Sequence, residues 1–289
     1  MCRFFIKVVF FLISIIAVIV LLIVTINYVI SRDKYYRIPK DKTILIVGHS
    51  HSECSYDTKY IKNAINTSQS GEQYLYTYIK TKKILNANPQ IENVLVEFTY
   101  NVIDKNNVKK IWSDSHIQNR HPIYSQLFSL EEYFYFFKYN FKQEIIVEGK
   151  SLRNKMEFLI NSRQKIENNM DFGGYKKLNE NKFSSNNQFE IKEISKLNIN
   201  YLIKLIELCN RNKVNVSLIR SPLHKKYEYR GNEDLFIKIK NKYFEDIKFI
   251  DFKDYGLMDE DYADYGHLNY KGAEKISKYL NKILNSNLE

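Results

Sequence analysis

A serine set between histidines and preceded by glycine, Gly48-His49-Ser50-His51, follows the apolar run Thr43-Ile44-Leu45-Ile46-Val47. A hydroxyl is a weak nucleophile until a neighbouring base takes its proton. On a tight strand-to-helix turn it is also exposed for attack, and nearby N–H groups face the oxyanion that forms. Gly48 allows that sharp turn. Near the other end, Asp264 and His267 stand three residues apart in DYADYGHLNYKGAEKIS, residues 261–277. This spacing can set a carboxylate beside an imidazole, which fixes its tautomer and stabilises the imidazolium formed when it accepts a proton from serine. Together the two segments hold the parts for acyl transfer through a serine ester. Each also has a plainer account, in which Ser50 and Asp264 cap helices and His267 is solvated.

Other polar residues admit two accounts as well. His49 and His51, with His267, are metal-ligand types, but His-Ser-His lacks the i, i+4 spacing of helical zinc sites and no third ligand is evident. No metal or other cofactor is therefore expected. His51 flanks the serine, and His224 follows a strand end in Ser-Pro-Leu-His; each is a substrate contact or, for His224, a solvated loop residue. Tyr175, Trp112 and the Gly173-Gly174 turn offer aromatic and open surface on which sugars stack. The stretch EEYFYFFKYNF, residues 131–141, predicts helix packing instead.

These residues need elements to hold them. TILIVG (43–48), NVLVEF (93–98), VNVSLIR (214–220) and IKFIDF (247–252) are short β-rich apolar runs, the pattern of buried parallel strands. Helical patterns fall at Glu72–Leu85, Leu130–Phe141, Ser151–Asn168 and 195–212, and a terminal helix begins near Lys271. Residues 171–188, rich in Gly, Asn and Ser, predict a loop. Strands alternating with helices imply an α/β fold with a parallel sheet covered on both faces. Ligands of such sheets sit beyond the carboxyl ends of the strands, which points to the residues following Val47, Phe98, Arg220 and Phe252.

Val8–Ile30 contains no charge and is long enough to cross a bilayer, longer than the apolar core of a secretory signal, and no small-residue cleavage site follows. The expected organisation is an uncleaved transmembrane anchor (8–30), a polar tether (31–42) and one domain (43–289). Arg3 and Lys7 precede the span while Arg32, Lys34, Arg37, Lys40 and Lys42 follow it, so a positive-inside count favours a cytoplasmic domain; long domains cross largely regardless of such counts. The net charge of +11 is spread over the chain and no nucleic-acid-binding motif accompanies it, so no nucleic-acid partner is expected. Three widely spaced cysteines (Cys2, Cys54, Cys209) suggest neither a disulfide framework nor a zinc site.

The N-terminal strand-Gly-x-Ser turn and the C-terminal Asp-x-x-His-x-Asn-x-x-Gly-Ala segment, on an alternating α/β background over residues 43–285, resemble the SGNH hydrolase family. The resemblance implies a three-layer, flavodoxin-like parallel-sheet domain after the transmembrane helix. It makes Ser50 the nucleophile, Asp264 the orienting acid and His267 the general base, with Gly71 and Asn101 matching the oxyanion-hole donors. Gly-His-Ser replaces the family's usual Gly-Asp-Ser, and Thr99-Tyr100-Asn101 stands where Gly-x-Asn-Asp is usual. These departures bring the chain nearer to anchored members such as the D-alanyl-transfer protein of teichoic-acid modification and polysaccharide O-acetyltransferases. The implied function is an acyl esterase or acyltransferase working through an acyl-enzyme on a cell-envelope polysaccharide. It would be single-pass in the cytoplasmic membrane with its domain outside, supplied by an integral-membrane acyl donor if it is a transferase. The alternative is a catalytically inactive glycan-binding or scaffold protein of the same fold.

Overall fold

A computed structural model describes residues 2–162, 173–179, 182–183 and 187–286. In chain order the elements are α1 (Cys2–Ile30), β1 (Ile44–Val47), α2 (Ser50–Ser55), β2 (Ala64–Asn66), α3 (Tyr74–Ala87), β3 (Asn93–Glu97), α4 (Tyr100–Ile103) and α5 (Lys105–Lys109). They continue with α6 (Asp114–Tyr124), α7 (Leu130–Ser162), α8 (Lys196–Arg211), β4 (Asn215–Arg220), α9 (Glu233–Phe244), β5 (Lys248–Asp251) and α10 (Tyr270–Ser286). The chain divides into two compact units, 37–111 with 171–289 and 1–36 with 112–170. Sequence alone predicts one domain over 43–289; the structure groups the described residues 112–162 with the anchor instead.

The larger unit is an α/β domain with five parallel strands in the order β2-β1-β3-β4-β5. All four strands expected from sequence are present, and β2 joins them at the edge. One face of the sheet carries Ile46, Leu95, Ile219 and Ile250, which pack with Ile276 and Leu280 of α10 and Tyr56 beyond α2. The other face meets α3, α8 and α9; there Phe98, Phe236 and Phe249 pack at tilted and edge-on angles around the fully buried Arg220. The result is three layers, helix–sheet–helix. Arg220 sits over the Phe236 ring and is neutralised by Asp251 and Glu233, so its charge is paired where water is absent. The sheet order reverses between β1 and β3, the switch point at which open α/β sheets form their ligand crevice.

The smaller unit contains α1, α6 and α7. Within α1, the 28 residues Arg3–Ile30 are long and apolar enough to cross a membrane, with 6% of their most apolar window buried. The expected tether is partly packed, since Tyr35 and Tyr36 are buried in this unit. Helix α7 breaks at Asn140 (φ −154°, ψ 65°), whose side-chain amide donates to the Trp112 carbonyl at 2.9 Å and to Asp114 at 2.7 Å. Trp112 stacks on Tyr139, with ring centroids 4.5 Å apart, in this unit's own packing. The aromatic stretch 131–141 does form a helix, but packing uses only part of it: Phe136 is buried, whereas Phe134, Phe137 and Phe141 are exposed. The last residues of the helix expected at 151–168 lie outside the described residues.

Candidate active site

β1 ends at Val47, and Gly48 leads into α2, whose first residue is Ser50. The turn is tight because the sheet leaves no room at Gly48: a Cβ there would lie 2.5 Å from the Glu97 Cβ. Glu97, the last residue of β3, is fully buried and its Oε2 accepts the Ser52 N–H at 2.6 Å. A carboxyl group from the neighbouring strand thus pins the first turn of the helix that carries the serine. As the first residue of α2, Ser50 has no helical partner for its own N–H.

The other half comes from the loop before α10. Ala263 N–H donates to the His267 carbonyl at 2.9 Å, closing a tight turn. Inside it Asp264 Oδ1 accepts the Gly266 and His267 N–H groups at 2.8 and 2.9 Å. Asn269 caps α10 through the Lys271 N–H at 2.9 Å, and Gly272 lets that helix approach the Asp261 backbone. The Asn and Gly of the C-terminal motif are therefore structural: they aim the turn.

These two halves meet. Ser50 Oγ lies 2.8 Å from His267 Nε2, and His267 Nδ1 lies 2.9 Å from both Asp264 oxygens. Burial alone would raise the Asp264 carboxyl, but the His267 hydrogen bond and charge and the two N–H donors outweigh it and hold it below the ordinary aspartate range. An ionised Asp264 requires the proton on Nδ1, which leaves Nε2 as the acceptor facing the serine hydroxyl.

The histidines beside the serine are buried rather than solvated. His51 packs edge-on against His267 and Tyr227, at centroid distances of 5.3 and 5.4 Å, and so walls the His267 ring on one side. Burial drives His49 down to about 3 and His51 well below the ordinary histidine value, so both rings are neutral. Burial pushes Glu97 up to about 8 against the hydrogen bonds it accepts from Ser52 and Ser221. His49, His51 and Glu97 bring ligand-type atoms within 4.8 Å of one another, so metal-ligand types meet at Glu97 rather than at His267. His49 Nδ1 accepts the His51 N–H at 3.4 Å, which places the neutral ring's proton on Nε2, the atom nearest Glu97. A cation there needs the other tautomer of His49.

A cavity of about 450 Å³ opens over the triad, and Asn101, Asn107, Lys110, Tyr227 and Tyr229 line it with Ser50 and His51. Asn101, three residues past Phe98, is where the strand-end rule places a ligand contact. The structure does not bring three other expected residues to this cavity. Gly71 occupies an exposed turn with φ +73°, closed by the Glu72 N–H donating to the Gln69 carbonyl, so its backbone serves the entry to α3. Tyr175 lies elsewhere on the domain and is half-buried. His224 is buried, with Nε2 3.0 Å from Asp259 and Nδ1 accepting the Lys226 N–H at 3.1 Å, so both ring nitrogens are engaged in holding its loop. Glu97, Tyr227 and Tyr229 enter the site without a motif. Tyr227 and Tyr229 lie in the loop after β4, so position relative to a strand end is the signal that marks them.

A model of an uncharacterised protein family matches residues 154–289, the part that carries Asp264 and His267 but not Ser50. No curated protein matches the chain.

Proposed function

We propose that this protein is a membrane-anchored serine acyl-transfer enzyme, an esterase or O-acyltransferase acting on esters of a cell-envelope polysaccharide. The observation that carries the reading is the unbroken chain Ser50 Oγ–His267 Nε2, His267 Nδ1–Asp264, with separations of 2.8 and 2.9 Å. His267 takes the Ser50 proton as Oγ attacks the ester carbonyl, and Asp264 stabilises the imidazolium. The Ser50 N–H and the Asn101 amide are the donors available to the oxyanion, a contribution of roughly 3–4 kcal/mol per donor to the barrier. Collapse expels the alcohol, protonated by His267, and leaves an acyl group on Ser50. Water or a sugar hydroxyl, deprotonated by the same imidazole, then takes the acyl group and regenerates the serine.

A polar cavity with amide, lysine and tyrosine side chains suits a glycan better than an acyl chain. With a glycan of the envelope as substrate, α1 is the anchor in the cytoplasmic membrane and the domain lies outside it. A transferase in that position needs an activated acyl group delivered by an integral-membrane donor. The exposed place of Gly71 favours a second reading, an anchored glycan-binding protein of the same fold, because it removes one oxyanion donor. Intact-mass detection of a serine-reactive fluorophosphonate on the purified chain separates the two. Labelling lost in both Ser50→Ala and His267→Ala supports the enzyme; a folded chain that does not label supports the binder.

A further inference from the structure

Helix α7 reverses the ordinary order of a soluble helix. The side it turns inward is largely polar and charged: Glu132, Gln143, Glu144, Ser151 and Lys155 are buried beside the apolar Phe136 and Val147. His121 of α6 stands between Glu144 and Glu148, and Lys155 reaches Glu148 at 3.4 Å, so the buried charges compensate one another. The side it turns outward is apolar. Leu130 is 89% exposed, Phe134 65%, Phe141 60% and Ile145 52%, with Phe137 between them. Spacings of three and four residues put Leu130, Phe134 and Phe137 on one face before the break at Asn140, and Phe141 and Ile145 on one face after it. Exposed Lys138, Lys142 and Arg153 accompany these residues along the helix.

A largely polar interior with an apolar exterior is stable where the surroundings are not water, and an exposed apolar face marks an interaction surface. The surroundings follow from what α7 is tied to. Asn27 on α1 donates to the Tyr133 hydroxyl at 3.1 Å and accepts from Lys155 at 2.8 Å. Asn27 lies in the last turn of α1, so α7 joins the anchor where its apolar run ends.

We propose that α7 lies along the surface of the bilayer that α1 crosses, with Leu130, Phe134, Phe137, Phe141 and Ile145 in the boundary between headgroups and acyl chains. Lys138, Lys142 and Arg153 then reach anionic headgroups, as basic residues of interfacial helices do. The break at Asn140 lets the two halves of the helix adjust to a plane. This rests on the reading of α1 as a membrane span, and continuity with that span selects lipid over a protein partner.

The test uses the full chain, with Trp112→Phe as background, reconstituted into vesicles of phosphatidylglycerol and phosphatidylcholine. Single tryptophans are introduced as Leu21→Trp, Phe134→Trp, Phe141→Trp and Lys248→Trp, and quenching is read from lipids brominated near the headgroup or in mid-chain. The expected result is mid-chain quenching at Leu21→Trp, quenching strongest from near-headgroup bromines at Phe134→Trp and Phe141→Trp, and none at Lys248→Trp. Quenching at Leu21→Trp with the α7 tryptophans emitting like Lys248→Trp overturns the interfacial helix and leaves the anchor standing. Loss of quenching at Leu21→Trp overturns both.

Discussion

Glu97 packs against Gly48 so closely that an added Cβ on the glycine would lie 2.5 Å from the Glu97 Cβ and 2.9 Å from its Oε2. The same carboxyl group accepts the Ser52 N–H, so the strand-end glycine and the buried acid together set where Ser50 stands. Gly48→Ala must displace Glu97 or bend β1. The expected cost is about 1–3 kcal/mol of stability, as for other overpacked sites, with loss of fluorophosphonate labelling. Urea midpoints and intact mass on the same preparation check both.

Glu97 also predicts a pH dependence of stability. Its folded value, about 8, lies above its ordinary value of 4.5, so the folded chain keeps a proton that the unfolded chain releases. That contribution is complete below pH 4.5 and fades as pH rises to about 8, by about 1.4 kcal/mol per pH unit in between. His49 runs the other way: with a folded value of about 3 against 6.5, its contribution is complete above pH 6.5 and is lost as pH falls towards 3. Glu97→Gln keeps an acceptor for the Ser52 N–H and removes the upper limb. Urea midpoints taken from pH 6.5 to 8 should fall more steeply in the parent than in the variant, where His121, raised against its burial by Glu144 and Glu148, leaves a remaining slope of the same sign.

Asp264→Asn leaves the turn's hydrogen bonds nearly intact while favouring the wrong imidazole tautomer. Turnover of an acetylated glycan or a chromogenic ester should fall by about 10⁴-fold with little change in KM. A loss of tenfold or less would mean that His267 is not the base.

Two expected oxyanion donors separate in opposite ways. Asn101→Ala should lower kcat by about 10²–10³-fold with stability held, as removal of such a donor does elsewhere. Gly71→Ala should leave kcat unchanged but cost about 1 kcal/mol, because its φ of +73° is strained for alanine. Steady-state kinetics and thermal unfolding on both variants decide the assignment.

Much of this arrangement is legible in the sequence, and the omissions have physical causes. Runs such as Ile44–Val47 and Asn93–Glu97 read as buried strands because both faces of a parallel sheet are covered. Ala64–Asn66 does not, since three residues carry no period. Helix α6 (DSHIQNRHPIY) has no apolar face to detect and contains a proline. The serine and the Asp-x-x-His pair stand out because their chemistry depends on local spacing. Glu97 does not, because a carboxylate at the end of an apolar run looks like the strand's solvated edge, and only the fold shows it turned inward. Gly71 misleads for the opposite reason: a glycine needed for backbone conformation is indistinguishable by type from one that lends an N–H to a ligand.

The Ser50–His267 hydrogen bond closes a loop of 217 residues. During synthesis at about 5–20 residues per second, Ser50 therefore emerges roughly ten to forty seconds before His267. Contacts of such long range form late in folding. Until they do, Ser50 is an ordinary hydroxyl, so under the proposed mechanism a nascent or truncated chain has no means of attacking an ester.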